Sequence, residues 1–194
     1  MHTVRYGIGV QGEGRLRFSK ADWLELGSDL LREHGSNGLT IERLTAAAGR
    51  TRGSFYHHFA DRDAFLSELV RHWRRRALDD RAAQLPLGGA PADLRAFLRA
   101  EPFHMDHRFE RALRQLAVAE PVVRRGVDEV DCARMAGLAS LIATLRPEVA
   151  DPRSEAFVQY AVAIGSQWLL DDPDDPRLPG VKQAAYRLFG LVEP

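Results

Sequence analysis

The chain has 194 residues, of which 45% are hydrophobic and 28% are charged, and its 27 basic and 27 acidic residues give no net charge. This composition is typical of a globular protein with enough apolar residues for a core, and it argues against a general polyanion binder. The single cysteine, Cys132, excludes an intramolecular disulfide framework and a cysteine-paired zinc site.

Residues 1–18 predict a flexible, glycine-rich tail without apolar periodicity. Residues 7–12 match G-x-G-x-x-G, but no strand precedes them and no helix follows, which excludes a dinucleotide site. Arg15 and Arg17 fit either a solvated tail or an arm that enters a minor groove. Because residues 1–14 lack a signal-peptide pattern and no apolar run approaches the ~20 residues of a membrane span, we expect a cytoplasmic protein without membrane contact.

From Ser19 onwards, apolar residues recur with helical spacing and no segment alternates as a strand does. The pattern predicts an all-α protein of about nine helices. Ser19 and Asp22 have capping-box spacing, Thr40 and Asp61 are N-cap candidates, and several later helices begin at proline. The predicted helices cover about residues 19–34, 40–48, 51–59, 62–84, 91–101, 104–119, 121–145, 153–170 and 181–191.

The second and third predicted helices form a candidate helix-turn-helix, because both are short and a tight turn at Gly49 separates them. The third begins with the polar and small residues 51–54, which suit a helix N-terminus that enters a major groove. Basic charge concentrates in the same stretch, since residues 43–76 hold eight arginines and three carboxylates. Helix pairs of this kind are common, so the pattern alone leaves a purely structural role open.

Residues 38–59, GLTIERLTAAAGRTRGSFYHHF, are followed by ADRDAFL, and this string closely resembles the DNA-binding domain of the TetR family of transcriptional regulators. The resemblance covers about residues 19–69 and is most specific in GSFYHHF, whereas the remainder matches only in helical layout. It implies a helix-turn-helix DNA-binding domain over residues 19–66. It also implies a helical domain over residues 67–194 that binds a ligand and forms a homodimer.

The resemblance also implies which side chains face DNA. Thr40 would cap the second helix and bond a phosphate, and Arg62 stands where the family commonly has lysine at another phosphate contact. Arg50 replaces the apolar residue usual after the turn glycine, and we expect it to point outward to the DNA backbone. Phe55 and Phe59 would be core, whereas His58 fits either a buried role or a contact. The implied DNA-binding residues are Thr40, Arg50, Thr51, Arg52, Gly53, Ser54, Tyr56, His57 and Arg62.

The remaining helices offer apolar residues with scattered polar tips as candidates for an effector pocket, although such residues are more often simply core. The candidates are Phe97, Phe103, Met105, Phe109, Met135, Tyr160 and Trp168. An apolar or aromatic small molecule is the general expectation for the ligand. The last two helices would build a four-helix bundle across the dimer. His104 and His107 lie one helical turn apart, but no further ligand completes a metal site, so we expect neither metal nor cofactor.

The sequence therefore predicts a ligand-responsive transcriptional regulator, most simply a repressor, that binds a palindromic operator as a dimer and is released by a small molecule. Two alternatives stay open: a helical interaction module of the same fold without operator binding, and a transcriptional activator. An enzyme is not expected, because the sequence has no nucleophile elbow, metal triad or phosphate-binding loop.

Overall fold

The computed structural model describes residues 18–84, 90–100, 106–170 and 175–191. The regular elements in these ranges are nine α-helices and one short 3-10 turn, which confirms the all-α prediction. None of the described helices is long and apolar enough to cross a membrane. The predicted tail with Arg15 and Arg17, together with Phe103, His104 and Met105, lies outside the described residues. The helices are α1 (Lys20–His34), α2 (Ile41–Ala48), α3 (Arg52–Tyr56), α4 (Arg62–Gln84), α5 (Pro91–Ala100), α6 (His107–Leu116), α7 (Pro121–Leu145), α8 (Pro152–Leu169) and α9 (Leu178–Leu188), and the 3-10 turn covers Gly35–Gly38.

Polar side chains cap the N-termini of several of these helices by accepting hydrogen bonds from first-turn backbone amides that have no partner within the helix. In the capping box of α1, the Ser19 hydroxyl accepts from the Asp22 amide at 3.2 Å and the Asp22 carboxylate accepts from the Ser19 amide at 2.7 Å. The Ser19 hydroxyl also donates to the Asp22 carboxylate, at 2.8 Å, and the bonds donated by the Ser19 amide and hydroxyl lower the pKa of Asp22. Asp106 and Asp151 cap α6 and α8 in the same way. The predicted caps at Ser19 and Thr40 are therefore confirmed.

Three helices differ from the predicted bounds at their ends. α3 stops at Tyr56, because the chain then turns to place Phe59 in the core. α6 ends at Leu116 rather than near residue 119, where a turn leads into Pro121. α9 runs from Leu178 to Leu188 instead of from 181 to 191, with a proline in its first turn and Gly190 at φ 64° just beyond its end.

One hydrophobic core joins α1–α4 to α6 and to the first half of α7. Trp23, Phe55 and Phe65 are fully buried in it, and the Trp23 and Phe55 rings meet edge to face at 5.4 Å. A Cβ atom on Gly27 would lie 2.6 Å from the Phe65 ring, so the glycine allows α1 to approach α4 closely. This core crosses the domain boundary predicted near residue 66, and that boundary stays a prediction.

Candidate nucleic-acid interface

The turn between α2 and α3 is set by a left-handed glycine at the end of α2 and a threonine cap at the start of α3. Gly49 has φ 59° and ψ 35°, a conformation that residues with a Cβ disfavour, and its amide donates to the α2 carbonyls of Thr45 and Ala46. The Thr40 hydroxyl accepts from the Arg43 amide, and the Thr51 hydroxyl accepts from the Ser54 amide, each at 3.2 Å. The start of α3 is therefore held in a defined orientation relative to α2.

The first turn of α3 lies on the surface of the molecule. Thr51, Arg52 and Gly53 are exposed, and Ser54 is half-buried. A Cβ atom added to Gly53 would find only the Thr51 hydroxyl within 4 Å, at 3.7 Å. Packing inside the chain therefore does not require glycine at position 53, whereas a partner that approaches the backbone closely would favour it.

The opposite side of α3 anchors it in the aromatic core. Phe55 and Phe59 are buried, with ring centroids 5.1 Å apart, and both pack against Phe65. The prediction that these two phenylalanines are core residues is thus confirmed. Tyr56 is 49% exposed and His57 is also exposed, so both present polar tips beside the first turn of α3.

Arg52 is held by a carboxylate of the neighbouring helix. Its guanidinium donates to Glu42 on α2 across an exposed surface. A hydrogen bond from Glu42's own amide, together with the charge of Arg52, lowers the pKa of the Glu42 carboxyl. Arg52 therefore lies at the surface, and its ion pair with Glu42 of α2 fixes the orientation of its guanidinium.

Arg50 and His58 both pack at the start of the described chain. The Arg50 guanidinium lies 5.8 Å from the centroid of the Phe18 ring, and its side chain is half-buried rather than fully outward. The His58 imidazole Nε2 lies 3.0 Å from the Phe18 carbonyl oxygen, which gives this half-buried histidine a partner inside the molecule. A DNA contact by Arg50 stays a prediction, and its ring contact explains how an arginine fits where the family has an apolar residue.

Arg62 makes two contacts inside the molecule. Its Nε donates to the Leu39 carbonyl at 3.2 Å, and a terminal nitrogen donates to Glu120 at 2.5 Å. Glu120 precedes α7, so the ion pair joins the start of α4 to the start of α7. A phosphate contact by Arg62 stays a prediction, and it would have to compete with Glu120 or form alongside it.

The arginine cluster of α4 is offset by carboxylates. Arg71 pairs with Glu68, Arg74 pairs with Glu129, and Arg76 lies 3.7 Å from Glu25. Trp73, within the cluster, is buried and packs in the core. The charges of Arg71, Arg74 and Arg76 are therefore largely offset inside the molecule.

Comparisons with known proteins match this region. The sequence model of the family "Bacterial regulatory proteins, tetR family" matches residues 24–69, which include α2, α3 and every predicted DNA-contacting residue. A stretch of 53 residues is 38% identical to the HTH-type transcriptional repressor AcnR of Corynebacterium efficiens. This stretch covers 27% of the chain and 28% of the repressor, so the similarity spans less than a third of that relative.

The chain carries the N-terminal domain of the TetR family.

Solved structures extend the likeness to the whole fold. A TetR-family regulator from Agrobacterium tumefaciens superposes with a TM-score of 0.71 at 18% identity, covering 90% of this chain and 97% of that one. A regulator from Saccharomonospora viridis, crystallised in complex with choline, superposes with a TM-score of 0.71 at 17% identity, covering 88% and 95%. At these identities the likeness shows a shared fold and nothing more specific.

Outside the TetR-family domain, the described pocket candidates lie in different surroundings. Phe109 is buried in the main core and packs against Trp73, with ring centroids 6.4 Å apart. Tyr160 belongs to a polar network, and Trp168 stands 47% exposed on α8. Phe97 and Met135 are half-buried on α5 and α7. The common pocket stays a prediction.

Buried charge, which sequence analysis did not predict, connects α6 to α7. Glu110 on α6 is 3% exposed and accepts two hydrogen bonds from Arg134 on α7, both of 2.8 Å. The Trp73 indole on α4 donates to the same carboxylate at 3.4 Å. Burial acts to lower the pKa of Arg134, but the bonds to Glu110 raise it above the ordinary value. Arg134 therefore keeps its charge in the folded chain.

A second ion pair extends this polar network to α8. Arg114 donates to both oxygens of Asp131, at 2.6 and 2.7 Å, and the Tyr160 hydroxyl donates to Asp131 at 2.6 Å. Burial raises the pKa of Tyr160 to about 12. The sequence signal was the helical spacing of Glu110 with Arg114 and of Asp131 with Arg134, which places polar groups repeatedly on inward faces.

Two further features mark α8. Gln167 is 1% exposed, and neither its amide nitrogen nor its amide oxygen has a hydrogen-bond partner among the described residues. A buried amide without partners is costly, which makes this position unusual. On α8, other apolar side chains form an exposed stripe at helical spacing: Phe157, Val158, Val162 and Leu169.

Proposed function

We propose that the chain is a transcriptional repressor that binds a palindromic operator as a homodimer and is released from it by a small molecule. The exposed first turn of α3 carries this proposal, because aromatic packing of Phe55 and the Thr51 cap orient it within the TetR-family segment. Polar side chains on such a helix N-terminus reach base edges and phosphates of a major groove. The relative AcnR is a transcriptional repressor, which favours repression over activation.

The apolar stripe of α8 supports a homodimer. Phe157, Val158 and Leu169 are each more than half exposed, and together they form an apolar surface whose exposure to water is unfavourable. A second copy of the chain would cover it around a two-fold axis, and the same axis would present two α3 helices to a palindromic site. One α3 helix reads few bases, so the dimer supplies the affinity that an operator requires.

An effector that acts on DNA binding needs a mechanical connection between the helix-turn-helix and the later helices. The main core supplies one, since it packs α1 and α4 against α6 and α7 without interruption. The Arg62–Glu120 ion pair adds a second connection at the start of α4. A ligand that prefers one arrangement of these helices would shift the spacing of the two recognition helices and lower operator affinity by its differential affinity.

Selection from a random pool of DNA duplexes, followed by fluorescence anisotropy at near-physiological salt, tests the proposal. We expect a palindromic consensus that the protein binds at least ~10³-fold more tightly than a scrambled duplex. Arg52→Ala should reduce discrimination at particular bases, because Arg52 stands at the start of α3. Arg71→Ala is the matched control, since it removes an equal charge from an exposed site on α4 and should leave discrimination unchanged.

Two results would overturn the proposal. Failure to enrich any sequence, with equally weak binding to all duplexes, would favour the interaction-module alternative. Unchanged discrimination in Arg52→Ala would remove α3 from its assigned role. The oligomeric state is tested separately by sedimentation equilibrium, where Phe157→Asp should yield monomers and the exposed-site control Val118→Asp, on the turn after α6, should not.

A further inference from the structure

A cleft of about 300 Å³ lies between the end of α1 and the outer face of α6, and α8 closes one side of it. Arg32 and Glu33 line it from α1, Arg108 and Arg111 line it from α6, and Trp168 lines it from α8. Its volume is at the lower end of the range for small-molecule sites. The cleft thus lies between the TetR-family domain and the later helices.

The charge of the cleft is predominantly positive. Arg32 is paired with Asp29 and Asp106, at 2.6 and 2.5 Å, so its charge is largely offset. Arg108 is exposed and forms no ion pair with any described residue. Glu33 is the one carboxylate among the described residues that line the cleft. An anion would gain charge-assisted hydrogen bonds here that no described carboxylate supplies to Arg108.

The same cleft offers an apolar surface next to its positive charge. The indole of Trp168 is 47% exposed, whereas Trp23 and Trp73 are buried in the core. Leu31 on α1 forms part of the opposite wall. A flat hydrocarbon or aromatic group would cover this indole, and its burial would add to the attraction of the arginines.

We propose that this cleft binds an organic anion with a flat apolar part, in the chemical class of the aromatic carboxylates. The carboxylate bonds Arg108, and the ring lies against Trp168. The ligand contacts α1, α6 and α8 together, so it changes how the helix-turn-helix sits on the later helices. This last consequence rests on the proposed function, whereas binding itself does not. Sequence analysis predicted an apolar or aromatic small molecule, and the cleft adds an anionic group to that ligand.

Isothermal titration calorimetry of the full chain with 2-naphthoate tests the proposal, with the neutral 2-naphthamide as the matched probe. We expect naphthoate to bind with a Kd of roughly 0.1–1 mM and naphthamide to bind at least about tenfold more weakly. Arg108→Gln should weaken naphthoate about tenfold, because it removes one charge-assisted hydrogen bond. Trp168→Ala should weaken it several-fold by removing the apolar wall.

The variant Glu33→Gln tests whether the charge of the cleft, and not only its structure, determines naphthoate affinity. It removes the negative charge that Glu33 contributes to the described lining, so naphthoate should bind about two- to fivefold more tightly, and the gain should fade at high salt. Arg75→Gln is the control, since Arg75 is an exposed arginine of α4 and does not line the cleft, and its Kd should match that of the unmodified chain.

Equal binding of naphthoate and naphthamide, or unchanged naphthoate affinity in both Arg108→Gln and Glu33→Gln, would overturn the proposal. DNA anisotropy and naphthoate calorimetry test two separate parts of the proposal. If naphthoate binds as expected but leaves DNA anisotropy unchanged, the site stands and its regulatory consequence is wrong. If the chain selects no DNA sequence, the proposed repressor function fails while calorimetry still judges the cleft.

Discussion

The helix-turn-helix and the layer formed by α6, α7 and α8 are both helical, but different interactions hold them. Around α3, the stabilising groups are apolar rings: Phe55, Phe59 and Phe65 pack together against Trp23. Between α6, α7 and α8, the contacts are instead largely buried ion pairs, Arg114 with Asp131 and Arg134 with Glu110. Ring packing gives stability directly, whereas buried ion pairs mainly penalise any arrangement that separates them.

The two kinds of packing suit two different structural requirements. A recognition helix must keep one orientation, and a close-packed aromatic core supplies that. The α6–α8 layer instead has partners that must meet in register, since Arg114 and Asp131 pair through both oxygens and Tyr160 completes the set. A helical shift of one residue along either helix would leave buried charges unpaired, so this layer favours discrete arrangements over gradual ones.

The largest effect is expected for Phe55→Ala. Phe55 is fully buried against four aromatic rings, so its removal should lower the free energy of unfolding by about 4 kcal/mol. Urea denaturation followed by circular dichroism measures this loss. Tyr56→Ala, at the adjacent and half-exposed position, should cost less than about 1 kcal/mol. Equal losses for the two variants would show that α3 is not anchored by Phe55.

A somewhat smaller loss is expected for Glu110→Gln, at about 3 kcal/mol. Arg134 is 12% exposed and would keep its charge without its carboxylate partner. The double variant Glu110→Met with Arg134→Met removes both charges and should be more stable than Glu110→Gln in the same urea experiment. Stability of the double variant below that of Glu110→Gln would mean that packing, not charge pairing, dominates at this site.

These two regions also differ in how far the sequence predicts them. The cap at Thr40, the turn at Gly49 and the buried Phe55 follow from residues close together in the chain. Local spacing determines such features, so the sequence was sufficient to predict the helices and the position of the candidate DNA surface. Helix ends such as that of α9 were less accurate, because tertiary packing decides where a frayed end stops.

The polar partners were beyond sequence reasoning for a physical reason. Arg62 and Glu120 lie 58 residues apart, and Trp73 and Glu110 lie 37 apart. Nothing in either local pattern specifies which carboxylate meets which cation. The sequence likewise did not indicate that Tyr160 joins an internal network or that Trp168 lines the cleft beside α1. Only the packing of whole helices decides such pairings.

Tyr160→Phe should give a smaller and pH-dependent effect. At pH 9 the variant should be about 1 kcal/mol less stable, because the hydrogen bond to Asp131 is lost. The folded pKa of Tyr160 is raised to about 12, above the value of about 10 in an unfolded chain. The unmodified chain therefore has the full stabilisation below pH 10 and loses it as pH rises from 10 towards 12, since the unfolded state ionises first.

Urea denaturation of both proteins at pH 9 and at pH 11 measures this effect. The stability difference should narrow by about 1 kcal/mol at the higher pH, because phenylalanine has no proton to lose. All other tyrosines are common to the two proteins, so their ionisation cancels in the comparison. A difference that stays constant or widens would contradict the raised pKa of Tyr160.

The smallest effect is expected where the two regions meet, at Arg62 and Glu120. Their side chains are 33% and 21% exposed, so a double-mutant cycle with Arg62→Gln and Glu120→Gln should give a coupling of about 0.5–1 kcal/mol in urea denaturation.

The substitution Glu120→Gln also removes the carboxylate that competes with DNA phosphate for Arg62. If Arg62 binds a phosphate in the operator complex, this variant should bind DNA about two- to fivefold more tightly, while Arg62→Gln should lower the salt dependence of binding by about one phosphate contact per subunit. Glu129→Gln, which releases the exposed Arg74 in the same way, is the control and should leave DNA affinity unchanged. A loss of DNA affinity in Glu120→Gln would instead mean that the ion pair positions α4 for DNA, and that Arg62 belongs to the connection between the regions rather than to the DNA surface.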